Sequence, residues 1–260
     1  MITLLTQLLI LSVDTAARAG SVCLARGEQV LCALSLEAQS SHSAHLLETI
    51  QQALESASCA LNDVELFAVA AGPGSFTGLR IGIATVKSFA AVTGRPCVGV
   101  PTLQAIASAA GPSAHTVALL PAGRGELFTQ LFAVDAEGNA QPLDEPQHLK
   151  PLEAWDKYSN HKRLRWAGEG SLVHADALRD HATAQGIDFS IEFDETEGAS
   201  TQGWIVARSC DNLAPAIAAI ALQEFQQGKT VSADELRAIY VRPSDAEINQ
   251  KWSTPTTAST

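Results

Sequence analysis

The residues best suited to do chemistry in this sequence are the glycines and hydroxyl groups of the segment AAGPGSFTGLRIG, residues 70–82. Apolar residues 66–71 lead into it, and apolar residues recur at spacings of four and three over residues 78–92, so we expect a strand, a tight turn and a helix. Glycine lets a ligand approach the backbone, and free amides at a helix start attract anions. The segment therefore predicts an oxyanion site, with these possible phosphate-binding residues: Gly72, Gly74, Ser75 and Gly78.

The same glycines also fit a tight turn that binds no ligand. The segment lacks the lysine that follows the glycines of a P-loop, and its G-x-G-x-x-x-G spacing is one residue longer than the dinucleotide-binding fingerprint. Ser75 is not in the G-x-S-x-G setting of a hydrolase nucleophile, which also needs a neighbouring base. The sequence leaves phosphate binding and a purely structural turn both open, and it predicts no catalytic residue.

A pair of histidines is the nearest approach to a metal-binding pattern. His42 and His45 lie three residues apart, so on a helix they share one face. A catalytic zinc site usually takes three protein ligands, and no comparable third ligand follows this pair. We therefore predict no metal site and interpret the two histidines as helix-start or interface residues. Cys97, at the start of a predicted strand, is interpreted as a small core residue rather than a reactive thiolate.

The composition limits the classes of function. The chain has 260 residues, of which 46% are hydrophobic, so it can bury a substantial core. Its net charge is −11, with 28 acidic and 17 basic residues, which argues against a broad nucleic-acid-binding face. The five cysteines form no C-x-x-C pair, so we expect neither disulfides nor zinc, and a reduced cytoplasm fits best. We expect no membrane span.

The predicted elements fall into two halves. Three β-rich segments open the chain, and the first half reads βββαβαβα. The second half repeats this plan more weakly, with a turn over residues 121–125. Helices are predicted over residues 42–58, 78–92, 102–110, 172–184 and about 214–227. We predict an α/β fold of two similar domains, residues 1–111 and 112–252, with the last helix able to pack back on the first domain, and a disordered tail over residues 253–260.

This order of elements resembles the actin-like (ASKHA, ribonuclease H-like) superfold, in which two domains that each start with a βββ meander clamp a nucleotide. Four segments narrow the resemblance to the TsaB (YeaZ) family. They are LSVDT at 11–15, HSAHLL at 42–47, AGPGSFTGLRIG at 71–82 and IYVRP at 239–243. The glycine segment is the most specific of the four, and the resemblance covers the first 110 residues well.

The resemblance implies a non-catalytic partner of the transferase TsaD, which places threonylcarbamoyl on an adenosine of tRNA. It also implies a TsaE-like ATPase docked on the pair, contact with tRNA only through the complex, and a cytoplasmic location without membrane contact. Helices 42–58 and 78–92 would bind TsaD, or a second copy of the chain when TsaD is absent. We place Leu46 on that interface and Leu47 in the core stripe. The predicted interface residues are His42, His45, Leu46, Phe76, Leu79 and Arg80.

Asp14 and Thr15 gain their interest from the same resemblance. They follow the first apolar segment, residues 8–13, where actin-like enzymes place a carboxylate that orients a metal-bound water or a hydroxyl that contacts phosphate. The alternative is a turn whose carboxylate accepts hydrogen bonds from nearby amides. The resemblance favours the turn role over catalysis, and we keep both residues among the possible phosphate-binding ones. No cofactor is predicted with certainty, and ATP or ADP at the interface with partners is the candidate.

One difference separates the chain from the TsaB family, and missing motifs separate it from two alternative functions. In the TsaB family an Asp-Ala-Arg-like turn usually opens the second domain, whereas here Pro121 stands where that Asp would be. An active actin-like kinase or ATPase would need an adenosine loop, for which Gly168-Glu169-Gly170 is the one candidate. A metal-dependent glycopeptidase-like hydrolase would need ligands that the sequence does not supply.

Overall fold

The computed structural model describes residues 7–36, 42–192, 203–208 and 212–241, which contain two β-sheets with helices packed against them. The strands of the first sheet are β1 (Leu9–Asp14), β2 (Ser21–Arg26), β3 (Gln29–Ser35), β4 (Leu66–Gly72) and β5 (Cys97–Pro101). They lie in the order β3-β2-β1-β4-β5. β1 is antiparallel to β2 and parallel to β4, so the meander leads into a crossover connection.

The helices between these strands are α1 (His42–Ser56), α2 (Phe76–Thr93) and α3 (Thr102–Ala109), with a short 3-10 helix at Leu61–Asp63. The ends of α2 follow from its sequence. The Ser75 hydroxyl oxygen accepts a hydrogen bond from the Gly78 amide at the N-terminus, and Gly94 ends the helix with a φ of 67°. The predicted apolar stripe of α2 is buried against β4.

The second sheet repeats the first. Its strands are β6 (Ser113–Gly123), β7 (Glu126–Val134), β8 (Ala140–Pro142), β9 (Gln147–Leu149), β10 (Leu164–Ala167), β11 (Phe189–Ile191) and β12 (Trp204–Val206). The main path runs β11-β12-β10-β6-β7-β8, with β9 beside β7. β6, β7 and β8 form an antiparallel meander, and β10 and β12 follow in parallel. The predicted α/β class, with a βββ meander at the start of each half, is confirmed.

The helices of the second half are α4 (Pro151–Tyr158), α5 (Glu169–Val173), α6 (Ala175–Ala184) and α7 (Ala214–Gln226). The sequence did not predict β9, α4 or β12, because each is short and makes a weak periodic pattern. The helix expected over residues 172–184 is instead two helices, which meet at His174 with a non-helical φ of −109°. The turn expected over residues 121–125 is shorter, since β6 continues to Gly123 before pairing with Glu126.

Two apolar clusters form the core. The larger cluster contains the first sheet, α1, α2, α3 and α7, and it continues into β6 and β7 of the second sheet. The smaller cluster lies in the second half and is rich in aromatic residues, among them Trp155, Trp166 and Trp204. α7 packs on the strands of the first sheet, and its N-terminus is fixed there because the Ser12 hydroxyl donates to the Ala214 carbonyl at 2.7 Å.

The division into domains at residue 111 stays a prediction, since the larger apolar cluster extends across both sheets. The predicted tail over residues 253–260 lies outside the described residues. Within the described ranges, no helix combines the length and apolar character needed to cross a bilayer.

Candidate functional site

The turn after β1 and the turn before α2 lie directly against each other in the structure. The Ser75 amide donates to the Ala16 carbonyl at 2.9 Å. The Thr15 hydroxyl donates to the Gly78 carbonyl at 2.7 Å. β1 and β4 are adjacent parallel strands, so their carboxyl ends meet at one edge of the first sheet. We call this contact the turn pair, residues 14–17 with residues 72–78.

The glycines of the turn pair are needed because other protein atoms occupy the space that a side chain would fill. A Cβ on Gly78 would lie 1.8 Å from the Thr15 carbonyl oxygen, and one on Gly74 would lie 2.7 Å from the Ala16 carbonyl oxygen. Gly72 has a φ of 120°, and a Cβ there would lie 2.3 Å from the Ile239 carbonyl oxygen. Of the three glycines, Gly72 alone has a positive φ. Close packing accounts for the other two glycines.

This packing also uses groups that a phosphate would need. The Ser75 amide, the Gly78 amide and the Thr15 hydroxyl all have hydrogen-bond partners inside the protein. Ser75 acts as the cap of α2. Contacts within the protein therefore account for these residues without a ligand. Oxyanion binding by the turn pair stays a prediction.

Asp14 is fully buried at the end of β1. Its Oδ1 accepts hydrogen bonds from the Ala16 amide at 2.8 Å and the Ala17 amide at 3.4 Å, which is the turn geometry expected from the sequence. Its Oδ2 has no hydrogen-bond partner in the described part of the chain. Burial raises the pKa of this carboxyl to about 6, against the lowering effect of the two amides. No group of three or more His, Cys, Asp or Glu residues suited to a metal occurs among the described residues.

A cavity of about 430 Å³ opens beside the turn pair, between the two sheets. Arg18 lines it from the first sheet, and Gly168, Glu169 and Arg208 line it from the second half. A Cβ on Gly168 would lie 2.4 Å from the Leu119 carbonyl oxygen, so this candidate adenosine loop is packed tightly against β6. Apolar side chains form most of the remaining wall. We call this hollow the inter-sheet cavity.

An aromatic and cationic cluster lies on the outer side of the turn pair. The Arg80 guanidinium carbon lies 3.8 Å from the centre of the Phe76 ring, and the Tyr240 ring centre lies 5.8 Å from it. The Ile239 amide donates to the Ala71 carbonyl at 2.7 Å, which holds the C-terminal segment beside β4. We call Phe76, Arg80 and Tyr240 the aromatic cluster. Tyr240 lies in the family segment at residues 239–243, but no signal in the sequence indicates its place beside Phe76.

The two leucines of α1 have the opposite roles to those predicted. Leu46 is 1% exposed and packs in the core, whereas Leu47 is 56% exposed. Both residues have helical spacing to Ile50, so the apolar pattern alone did not distinguish the two faces. Leu79 is also buried, which removes it from the surface where it was predicted.

The histidines of α1 belong to no metal site among the residues that the structure describes. His45 is half-exposed and its Nδ1 lies 3.5 Å from a carboxylate oxygen of Glu48. His42 is the first residue of α1, and its side chain lies outside the described part of the structure. Cys97 is buried, which confirms its predicted place in the core, and burial raises the pKa of its thiol to about 11.

The repeated strand order and the turn pair define an actin-like α/β protein. The family model "TsaD: tRNA N6-adenosine threonylcarbamoyltransferase" matches residues 36–224. The chain belongs to this family, within which it is of the TsaB (YeaZ) type.

Relatives of known name support this assignment. The chain is 28% identical over 247 residues to the tRNA threonylcarbamoyladenosine biosynthesis protein TsaB of Escherichia coli, covering 90% of this chain and 94% of the relative. It is 34% identical over 137 residues to the tRNA N6-adenosine threonylcarbamoyltransferase of Polaromonas naphthalenivorans, covering 51% of this chain but 38% of that enzyme. The similarity thus extends along nearly all of a TsaB protein and along a minor part of the transferase.

Solved structures show the same fold. YeaZ from Pseudomonas aeruginosa has a TM-score of 0.66 at 21% identity, covering 90% of this chain and 99% of that one. A second structure, described as similar to peptidase YEAZ from the same organism, has a TM-score of 0.69 at 23% identity over 90% and 100% of the two chains.

Proposed function

We propose that this protein is a non-catalytic partner of a TsaD-type transferase in the formation of threonylcarbamoyladenosine in tRNA. The observation that carries the proposal is the similarity to a TsaB protein along nearly the whole of both chains. The turn pair agrees with it, because its hydroxyl and amide groups are bonded within the fold. Asp14, the carboxylate that an actin-like catalyst would use, is enclosed by protein.

The proposed partner surface consists of the outer faces of α1 and α2 with the aromatic cluster. Leu47 supplies an exposed apolar side chain on α1, and Phe76 and Tyr240 are exposed at the start of α2 and beside it. Arginine and aromatic residues are the types most enriched at protein interfaces and in their energetic centres. We propose that this surface binds the TsaD-type partner and that it forms a homodimer when that partner is absent.

The remaining members of the assembly follow from the same proposal. A TsaE-like ATPase docks on the pair, and tRNA is bound through the complex, since a net charge of −11 opposes broad contact with a polyanion. We place the protein in the cytoplasm, where tRNA is modified. ATP or ADP, if the complex uses it at this subunit, fits best at the inter-sheet cavity, where Arg18 and Arg208 supply positive charge.

The experiment replaces Leu47 by Glu. A charge on an apolar side chain at an interface is left desolvated and unpaired, which costs about 3 kcal/mol or more of binding free energy, or a loss of affinity of about a hundredfold. We expect Leu47→Glu to abolish both the homodimer and binding of the TsaD-type partner. The readouts are light scattering of the variant alone and mixed with the partner, with circular dichroism to verify folding.

Two further leucine-to-glutamate variants serve as controls. Leu152→Glu places the same charge on a leucine of α4 that is 62% exposed, and it should leave both assemblies unchanged. Leu46→Glu should unfold the protein, because that side chain is buried in the core. A folded Leu47→Glu protein that still dimerises and still binds the partner would place the interface elsewhere.

A further inference from the structure

A second cavity, of about 680 Å³, lies at the amino ends of the parallel strands of the second sheet. Residues 112–115 before and within β6 form one wall, and residues 160–165 leading into β10 form the other. β6 and β10 are adjacent and parallel, so their starts meet at one edge of the sheet. We call this hollow the strand-start cavity. It lies apart from the inter-sheet cavity, which is lined by the opposite ends of β6 and β10.

The wall of the strand-start cavity concentrates positive charge in an acidic protein. Lys162 and Arg163 are exposed on it, and neither side chain makes a hydrogen bond or ion pair within the described residues. Arg165 is different, because it pairs with Glu192 at 2.9 Å and donates to the Ala110 carbonyl at 3.0 Å. The fold therefore uses Arg165 and leaves the other two cations available to a ligand.

Two imidazoles complete the wall. The ring centres of His115 and His161 lie 4.6 Å apart, and both residues are half-buried. Burial lowers the pKa of His161, and His115 lowers it further, while the Asp144 carboxylate acts in the opposite direction. Two imidazolium rings in contact repel each other, and negative charge placed beside them offsets that repulsion. An anion in the cavity would supply that charge.

We propose that the strand-start cavity binds a phosphate group, carried either by a free nucleotide or by an RNA backbone. The Arg163 guanidinium and the Lys162 ammonium supply the charge, and guanidinium matches phosphate oxygens with paired hydrogen bonds. His115 and His161 donate from the neighbouring wall. The volume lies within the range of about 300–1,000 Å³ typical of small-molecule sites, so a mononucleotide would fit. The net charge of −11 confines such binding to this local positive region.

The site is independent of the partner surface described above, which belongs to the first sheet and α1 and α2. Loss of partner binding in Leu47→Glu would leave phosphate binding intact. If the strand-start cavity bound no phosphate, the proposed partnership with the transferase would likewise be unaffected. The two proposals therefore fail separately.

The test is a histidine NMR titration of the full-length protein with inorganic phosphate, AMP and a short single-stranded RNA. We expect the imidazole resonances of His115 and His161 to shift and saturate, and the pKa of His161 to rise when the ligand is bound. Saturation by inorganic phosphate establishes the phosphate site itself, and saturation by AMP identifies a nucleotide-type ligand. Saturation by RNA at concentrations where AMP has no effect identifies the RNA backbone.

The matched variants remove two positive charges each. Lys162→Gln with Arg163→Gln should weaken binding by at least about tenfold, since each charge-assisted hydrogen bond contributes strongly. Lys150→Gln with Arg95→Gln removes the same charge at exposed positions outside the cavity and should leave the titration unchanged. The proposal is overturned if no ligand shifts the two histidines, or if the shifts persist unweakened in the Lys162 and Arg163 variant.

Discussion

At the scale of single residues, Asp14 couples the stability of the fold to pH. Its carboxyl is buried, and its pKa is raised from 3.8 to about 6, so the folded state disfavours the ionised form. The associated stability is present below the unfolded pKa and is lost as pH rises through about 6. Asp14→Asn removes this loss. Relative to wild type, the variant should gain up to about 3 kcal/mol in free energy of unfolding between pH 4 and pH 7.

The measurement is urea unfolding of both proteins across that pH range. The change with pH is the readout, because the Asn amide also introduces a new donor whose cost does not vary with pH. Asp135→Asn is the contrasting variant. Asn139 holds the pKa of that exposed carboxyl below its usual value of 3.8, so the stability it contributes is lost only as pH falls below that value, and this variant should track wild type with little change between pH 4 and pH 7. Parallel pH profiles for wild type and Asp14→Asn would contradict the assignment.

At the scale of elements, the turn pair depends on a glycine at the first turn of α2. Gly78→Ala would place a methyl carbon 1.8 Å from the Thr15 carbonyl oxygen, so the two turns must separate. Because the obstructing atom is backbone, the cost lies toward the upper end of the usual overpacking range of about 1–3 kcal/mol, above the gain of about 1 kcal/mol from replacing glycine by alanine in a helix. We expect a net loss of stability together with faster hydrogen exchange of the Ser75 amide, which donates to Ala16.

Ser88→Ala provides the control on the same helix. Ser88 is exposed, and its hydroxyl donates only to the Ala84 carbonyl, so stability should change by less than about 0.5 kcal/mol. If Gly78→Ala kept the stability of wild type and the Ser75 amide still exchanged slowly, the two turns would not depend on a glycine at this position.

The order along the chain of the strands and helices of the first half was predictable because their patterns are local. The apolar run of β4 and the stripe of α2 fix a strand, a turn and a helix without reference to the rest of the chain. The local pattern could not predict which of Leu46 and Leu47 is buried, because both fit the apolar stripe of α1. Packing against β2 and β3 decides it.

The candidate sites were predictable in part for the same reason. The sequence indicated that the turn pair is special, but the glycine spacing cannot reveal whether a ligand or a neighbouring carbonyl fills the space. The aromatic cluster and the strand-start cavity join segments far apart in the chain. Phe76 meets Tyr240 because the Ile239 amide donates to the Ala71 carbonyl, and His115 meets His161 because β6 pairs with β10.

At the scale of the whole molecule, the two sheets share an apolar cluster, and α7 returns from the second half to pack on the first sheet. The described tryptophans, by contrast, lie in the smaller cluster of the second half. Tryptophan fluorescence therefore reports on one half while α7 stabilises the other. This separation makes the coupling between the halves measurable, provided that Trp252, which lies outside the described residues, is replaced by Phe.

Ile217→Ala in that background tests the coupling. Ile217 is fully buried on α7, and removal of such a side chain costs about 2–5 kcal/mol. Because the larger cluster extends from the first sheet into β6 and β7, we expect one cooperative transition. The urea midpoints from fluorescence and circular dichroism should fall together. Gln226→Ala, at the exposed end of α7, should shift neither. A lower dichroism midpoint with unchanged fluorescence would mean that the halves unfold independently and that the first sheet with its helices and α7 forms a separate cooperative unit.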